Sequence, residues 1–578
     1  MIEEEWDRTM KQGDSKQHHS RLEVNMKSIL KQKAVSLCFA LSLGQCLIAQ
    51  DIDKVKEKIT QVVDLIMLQT ELNLAANNGS PDVIQIGEGV FDLSVLDQDL
   101  TYAPLPEPKV AQEERYPITI VGAGMGKTII DAGKSVRKLW LSSAQLKNDM
   151  GVLITVKGIT FRNGGGASSG PAGLAIGTKQ GTIKVVDCEF LGTNGSHGPS
   201  LYARSGTNLG GGFINVISCR FDSLRSPVTI SSLRASATVQ ECKFTNFRGC
   251  PALDISNNLG GSFILKCKFI NNRTTREAPL NANVFPNGTV EVVNCTFENN
   301  LGAISGALRV AGRESNVNIS RNTFTDNSGG KGSGAAVIAM DGSGKIIADA
   351  NLFRKNHNDT QGGGLSMISG GNKKAEAGDK KAFIGVYNNI FSGNRTAGDG
   401  GGLYVETQEG NIEIINNTLV ENSTLAFPNC TTGAGLCVRI CANDASAIIY
   451  NNIFWNNWCK SKAGIDLRID NDPDYSFPGI LLQPDGIGAS VVVSNNIARN
   501  TSSTINNAVT VKNKIIEDPL LDSNFKLQEK SPAIDAGTKY GHGILGGGDD
   551  FAGKDRVIDG NGDGQPVVDL GAIEYKRK

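Results

Sequence analysis

The chain is poor in several things that most soluble domains use freely. Aromatic residues make up 6% of 578 residues, with four tryptophans. Charged residues reach only 20%, below the usual quarter. Lysine plus arginine (58) nearly balance aspartate plus glutamate (59), for a net charge of −1. A balanced chain has no global field to recruit nucleic acid or an anionic membrane, so neither is an expected partner. After residue 50 no apolar run is long enough to cross a bilayer, which excludes a transmembrane segment there. Helical periodicity also fades after residue 78, which argues against a helical solenoid.

One apparent motif fails for want of its key residues. GAGMGKT (122–128) looks like a phosphate-binding loop. That loop needs glycine where Val121 stands and a helix after Thr128, where the sequence reads TIIDAGK. Nucleotide is therefore not an expected ligand.

What is present begins with a targeting segment. From Met26, three lysines precede an apolar stretch starting at Ala34, and the segment closes on Ala49-Gln50. This is a secretory signal in form, with an uncleaved signal anchor as the alternative. Residues 1–25 read as a mis-assigned start, 26–50 as the signal, and 51–80 as an N-terminal cap. The apolar spacing Val55, Ile59, Val62, Val63, Ile66, Leu72 predicts a capping helix over 55–78. Export would place the ten remaining cysteines in an oxidising compartment.

Residues 81–514 repeat one template. IKVVDCEF (183–190), INVISCRF (214–221), VEVVNCTF (290–297) and IGVYNNIF (384–391) each read apolar-x-apolar-x-x-[Cys/Asn]-x-Phe. The spacing describes a strand that bends at a corner and resumes on the same inward face. The corner column runs through Cys188, Cys219, Cys242, Cys267 and Cys295, then Asn322, Asn351, Asn389, Asn417, Asn452 and Asn496. Periods of 23 to 44 residues between these positions predict an all-β parallel β-helix of about fourteen coils. Ile118, Ile120, Ala123 and Met125 fit the same template, making GAGMGKT a coil corner. The column cysteines are expected as free thiols. Cys430, Cys437, Cys441 and Cys459 lie off the column, and one or two disulfides are expected among them, a zinc site being the alternative.

Beyond each corner comes FxxN, as in FINN (269–272) and FENN (297–300), and then a glycine turn, as in SGALRV and DGGGLYVE. These paired repeats resemble those of polymorphic outer-membrane proteins and, more broadly, the pectin-lyase-like right-handed β-helix superfamily. Residues 515–578 are similar to the ending of secreted Bacteroidota proteins with a choice-of-anchor Q domain. That resemblance implies a right-handed fold and export. It implies no defined reaction.

Residues that could carry chemistry follow from the outward positions of the strand after each glycine turn. Tyr202, Arg204, Tyr404, Glu406, Asp466 and Arg468 would form a ligand-binding face for a polysaccharide or surface glycan, since tyrosine rings and arginine forks suit sugars and uronates. Superfamily lyases use Lys or Arg as base, and Arg309, Lys355, Arg395 and Arg439 are the residues of that type available here. GHG (541–543) and GGDD (547–550) read as turn residues. Asp559, Asn561, Asp563 and Asp569 resemble a calcium loop, which makes Ca²⁺ the one cofactor to test for. The reading is an exported surface protein that binds glycans without catalysis. The alternatives are a polysaccharide lyase and a purely structural spacer.

Overall fold

The computed structural model describes residues 58–577, apart from 105–114, 134, 136–137, 165–172, 193–199, 208–209, 371–380, 426–432, 441–444, 460–461, 464, 472–489, 499–500, 504–508 and 539–548. The signal segment, Cys430, Cys441 and the GHG run lie outside the described residues. Three long sheets run the length of the molecule, with 16, 13 and 14 strands, and a short sheet of 7 strands joins them in the later coils. They are named sheets 1, 2, 3 and 4 in that order. Neighbouring strands in sheets 1 to 3 pair in parallel and come from successive coils, so the architecture is a parallel β-helix.

One coil shows how the sequence does this. Thr289–Val293 lies in sheet 1, Thr296–Glu298 in sheet 2, Leu301–Gly302 in sheet 4 and Leu308–Arg313 in sheet 3. The bend between sheets 1 and 2 is a single left-handed residue, Asn294 (φ 55°), and the next bend is Asn299 (φ 52°). Each is followed by an inward polar or thiol group, Cys295 and then Asn300. The same pair of corners recurs at Ser218 and Ser223, Glu241 and Asn246, and Arg321 and Asp326. Asparagine and aspartate tolerate this conformation best, which explains their frequency there.

Inside, the phenylalanines form one continuous stack from Phe161 to Phe391, with ring centroids 4.6–5.0 Å apart. Two asparagine ladders flank it. From Asn322 to Asn496, each Nδ2 donates to the Oδ1 of the next coil's asparagine at 2.9–3.1 Å. From Asn272 to Asn457 a second ladder repeats the bond at 2.9–3.0 Å. The five column cysteines are free and buried. Their Sγ atoms donate to backbone carbonyls, Cys188 to Val186 O and Cys219 to Ile217 O at 3.3 Å each. Burial pushes both thiols up.

Two expectations are corrected. The helix covers only Leu65–Ala75 (α1), capped by the Asp64 carboxylate on Met67 N–H at 2.7 Å. Residues Lys58–Val62 are instead a strand (β1) at the edge of sheet 1, so Val62 enters the core from a strand while Ile59 and Val63 are exposed. In GAGMGKT, Ala123 and Met125 are exposed, and Thr128 and Ile130 take the inward places opposite Gly89 and Phe91. The corner there is several residues longer than the template allows. The C-terminal segment is an addition to the coils. It folds back along the outside of sheet 2, where Ala572 and Ile573 pack on Ile390, and Leu527 and Leu570 pack with Val420, Ile453 and Trp455. Among the described residues its Asp549 lies 4.0 Å from Arg321.

Candidate functional site

The strands of sheet 3 alternate inward aliphatics with outward residues, and in-register pairing turns the outward residues into two columns. The first runs Trp140, Ala175, Tyr202, Thr229, Asp254, Asn281, Arg309, Val337, Ser366, Tyr404, Cys437. The second includes Arg204, Ser231, Ser256, Asn283, Ala311, Ala339, Ile368, Glu406 and Arg439. The face is more open before Val337 (7% exposed) than after it, with Ala175 and Asn281 as buried positions in the open half and Ser366, Tyr404, Cys437 and Glu406 buried in the covered half.

In the open half Trp140 is 43% exposed, Arg204 is exposed and Tyr202 is half-buried. Six coils on from Trp140, at about 4.8 Å per coil, a charged network closes the strip. Arg309 Nη1 donates to Asn281 Oδ1 (2.9 Å) and Asn283 Oδ1 (3.1 Å) and lies 3.7 Å from Glu277. Asn281 Nδ2 donates to Asp254 Oδ1 at 3.0 Å. Burial pushes the Asp254 carboxyl up, with Glu277 adding to the rise and Asn281 and Arg309 opposing it. Trp140, Asp254, Asn281 and Glu277 were missed by sequence reasoning. KLWLS (138–142) and LDISNN (253–258) carried the signal, because each puts a polar or aromatic residue between two inward aliphatics.

In the covered half, Tyr404 (0% exposed) donates its hydroxyl to Glu406 (3% exposed), and Arg439 sits on the adjacent strand. The other Glu406 oxygen is buried, with no hydrogen-bond partner among the described residues. Burial pushes the Tyr404 phenol up, and the Glu406 charge reinforces it. Burial works against the Arg439 charge, but Tyr404, Cys437, Glu406 and Asp399 outweigh it and hold the guanidinium protonated. A phenol and a guanidinium so held do not act as bases near neutral pH. Tyr404 and Glu406, read from sequence as an open glycan face, are therefore enclosed.

The four basic candidates do not converge. Arg309 and Arg439 share sheet 3 but stand four coils apart, about 19 Å. Lys355 is a left-handed corner residue after sheet 2 (φ 54°), and Arg395 is exposed on sheet 4. Asp466 and Arg468 belong to strand Ile465–Asn471, whose side chains lie outside the described residues. Its register is shifted, so Arg468 stands beside Cys437, and Asp470 beside Arg439.

The side-chain oxygens of the loop at 559–564 accept hydrogen bonds within the loop itself. Asp559 accepts from Gly562 N–H (2.6 Å) and Gly564 N–H (2.9 Å), and Asn561 and Asp563 accept from Asp563 N–H and Gln565 N–H. Asp569 is withdrawn into the C-terminal packing, where it accepts from Asp535 N–H and Tyr575 N–H. Among the described residues no three acidic, histidine or cysteine groups converge as metal ligands. No helix among them is long and apolar enough to cross a membrane.

The family described as right handed beta helix region matches residues 172–379. The β-helix is right-handed. No curated protein sequence matches the chain. Among solved structures, a periplasmic alginate epimerase is 12% identical, with 77% of this chain and 87% of that chain covered and a TM-score of 0.33. A PL6 family polysaccharide lyase from Pseudopedobacter saltans is 12% identical over 82% and 96% of the two chains, at 0.30. A pectate lyase is 11% identical over 90% and 97%, at 0.24. At scores this low the ground for the fold is the strand pairing and the family match.

Proposed function

We propose that this is an exported β-helix protein of the cell surface or its surroundings that binds glycan along the open half of sheet 3 without cleaving it. The observation that carries the reading is the strip from Trp140 through Tyr202 and Arg204 to the Asp254–Asn281–Arg309 network. Aromatic faces at one end pack on sugar rings, and donors and acceptors fixed at the other receive hydroxyl or carboxylate groups. A binding role agrees with the dispersal of the four basic candidates, since proton abstraction needs its groups within hydrogen-bond reach of one carbon. The signal-like segment at 26–50 supports export.

The test is affinity chromatography and calorimetry of the full chain against neutral and uronate polysaccharides. W140A/Y202A is expected to weaken binding about tenfold, equivalent to about 1.4 kcal/mol. Unchanged affinity in the double variant would remove the strip from consideration. Steady growth of ultraviolet absorbance from unsaturated uronate ends would show cleavage and overturn the non-catalytic reading.

A further inference from the structure

Three consecutive coils carry the same spacing of cations: RFDSLR (220–225), KFTNFR (243–248) and KFINNR (268–273). The preceding coil reads EFLGTN (189–194) and the following one TFENNL (296–301), so the pattern begins and ends sharply. Residues 217–276 hold nine Lys/Arg against three Asp/Glu, in a chain whose net charge is −1.

The fold turns that spacing into a grid. Arg220, Lys243 and Lys268 are in register as the first residues of successive sheet 2 strands. A left-handed corner follows in each coil, at Ser223, Asn246 and Asn271. Beyond it Arg248 N–H donates to Leu224 O at 3.0 Å, and Arg248 bridges Arg273, so Arg225, Arg248 and Arg273 form a second column. All six are exposed. Glu189 pairs with Arg220 at 3.4 Å, at the grid's lower edge. Asp222 is engaged by Thr245 and Asn246, and Glu241 by Lys266. Among the described residues no ion pair engages the other five cations of the grid. Among the described residues the returning C-terminal segment makes its ion pair as far back as Arg321, and none of its ion pairs or apolar contacts is to the grid.

We infer that this two-by-three grid is a docking face for a linear glycan bearing more than one sulfate or phosphate ester per sugar. Cations recur about every 4.8 Å along both columns. A polymer matching both needs anions on two edges at that density, which dense ester groups supply and one carboxylate per sugar does not. Arginine forks bind such oxyanions bidentately. The grid is on the sheet 2 flank, apart from the sheet 3 strip, and it stands or falls independently of that reading.

The experiment compares retention of the full chain on dextran sulfate and on plain dextran, which share a backbone. Dextran sulfate is expected to retain the protein, and added salt to release it, because exposed charges are screened. R225E/R248E/R273E is expected to lose at least about tenfold in affinity, while K331E/K526E/K530E, with the same change in net charge, stays within about twofold. Equal loss in both variants, or equal retention on plain dextran, would overturn the grid. Equal affinity for polygalacturonate would overturn the assignment to dense esters. So would binding to a single-stranded oligonucleotide or an anionic phospholipid vesicle without binding to dextran sulfate.

Discussion

Asn356 shows why the ladders hold single residues so tightly. Its Nδ2 donates to Phe324 O (3.0 Å) and to Asn394 Oδ1 (2.9 Å), and its Oδ1 accepts from both the backbone and the side chain of Asn327. The residue is fully buried, so alanine there would strand a backbone N–H in the core without water to replace the bond. Asn356→Ala is expected to cost about 2–4 kcal/mol in denaturant titration. A loss below about 0.5 kcal/mol would mean the ladder tolerates gaps. Both ladders were legible as sequence columns, because inward positions recur once per coil. The enclosure of Tyr404 and Glu406 was not: outward direction follows from period-two alternation, whereas accessibility depends on what else packs over the strand.

At the scale of the element, the corners decide where strands begin and end. Most corner residues are Asn, Asp, Ser or long polar residues, but Ala350 holds φ 53° with a β-carbon and nothing polar to compensate. Ala350→Gly removes that steric penalty and is expected to stabilise by up to about 1 kcal/mol. No change in the unfolding midpoint would show that the corner is unstrained. The opposite constraint appears at the glycine turns, where a methyl on Gly334 would sit 1.9 Å from Gly363 O. The template located these corners but not the extra length at GAGMGKT, because Gly124 and Gly126, both at positive φ, admit a wider turn than one residue. The apolar spacing over 55–78 likewise merged β1 and α1 into one helix. Val62 and Leu68 both point to the core, and an apolar spacing near three or four does not reveal that Asp64 separates a strand from a helix.

On the scale of the whole molecule, the first residue of each sheet 2 strand reports what lies outside it. The column is cationic at Arg220, Lys243 and Lys268, then apolar at Leu352, Ile390 and Ile453, where the C-terminal segment packs. That change was present in the sequence and marks the returning segment. Its docking should depend on pH. Arg556 is buried beside Glu574 (2.6 Å) and also donates to Asn388 and to the carbonyls of Gly571 and Ala572. Burial pushes Glu574 up to about 8, with Asp569 adding to the rise and Arg556 opposing it, and pushes Asp569 up to about 6. Asp349, beneath the same contact, is raised by burial as well. A carboxyl whose folded pKa is raised binds more protons in the docked state. Its contribution is complete below the unfolded value near 4 and is lost as pH rises through the folded value. Protection of residues 515–577 is therefore expected to be greatest near pH 4–5 and to fall by on the order of 2 kcal/mol towards pH 8, then level off. Hydrogen exchange of this segment across that range measures it. Glu574→Gln should flatten the slope between pH 6 and 8: its amide oxygen still accepts from Arg556, while the acceptor for Asp569 N–H is lost and lowers protection at every pH alike. Protection that instead climbs with pH would mean that the Arg556 charge, rather than burial, governs both carboxyls.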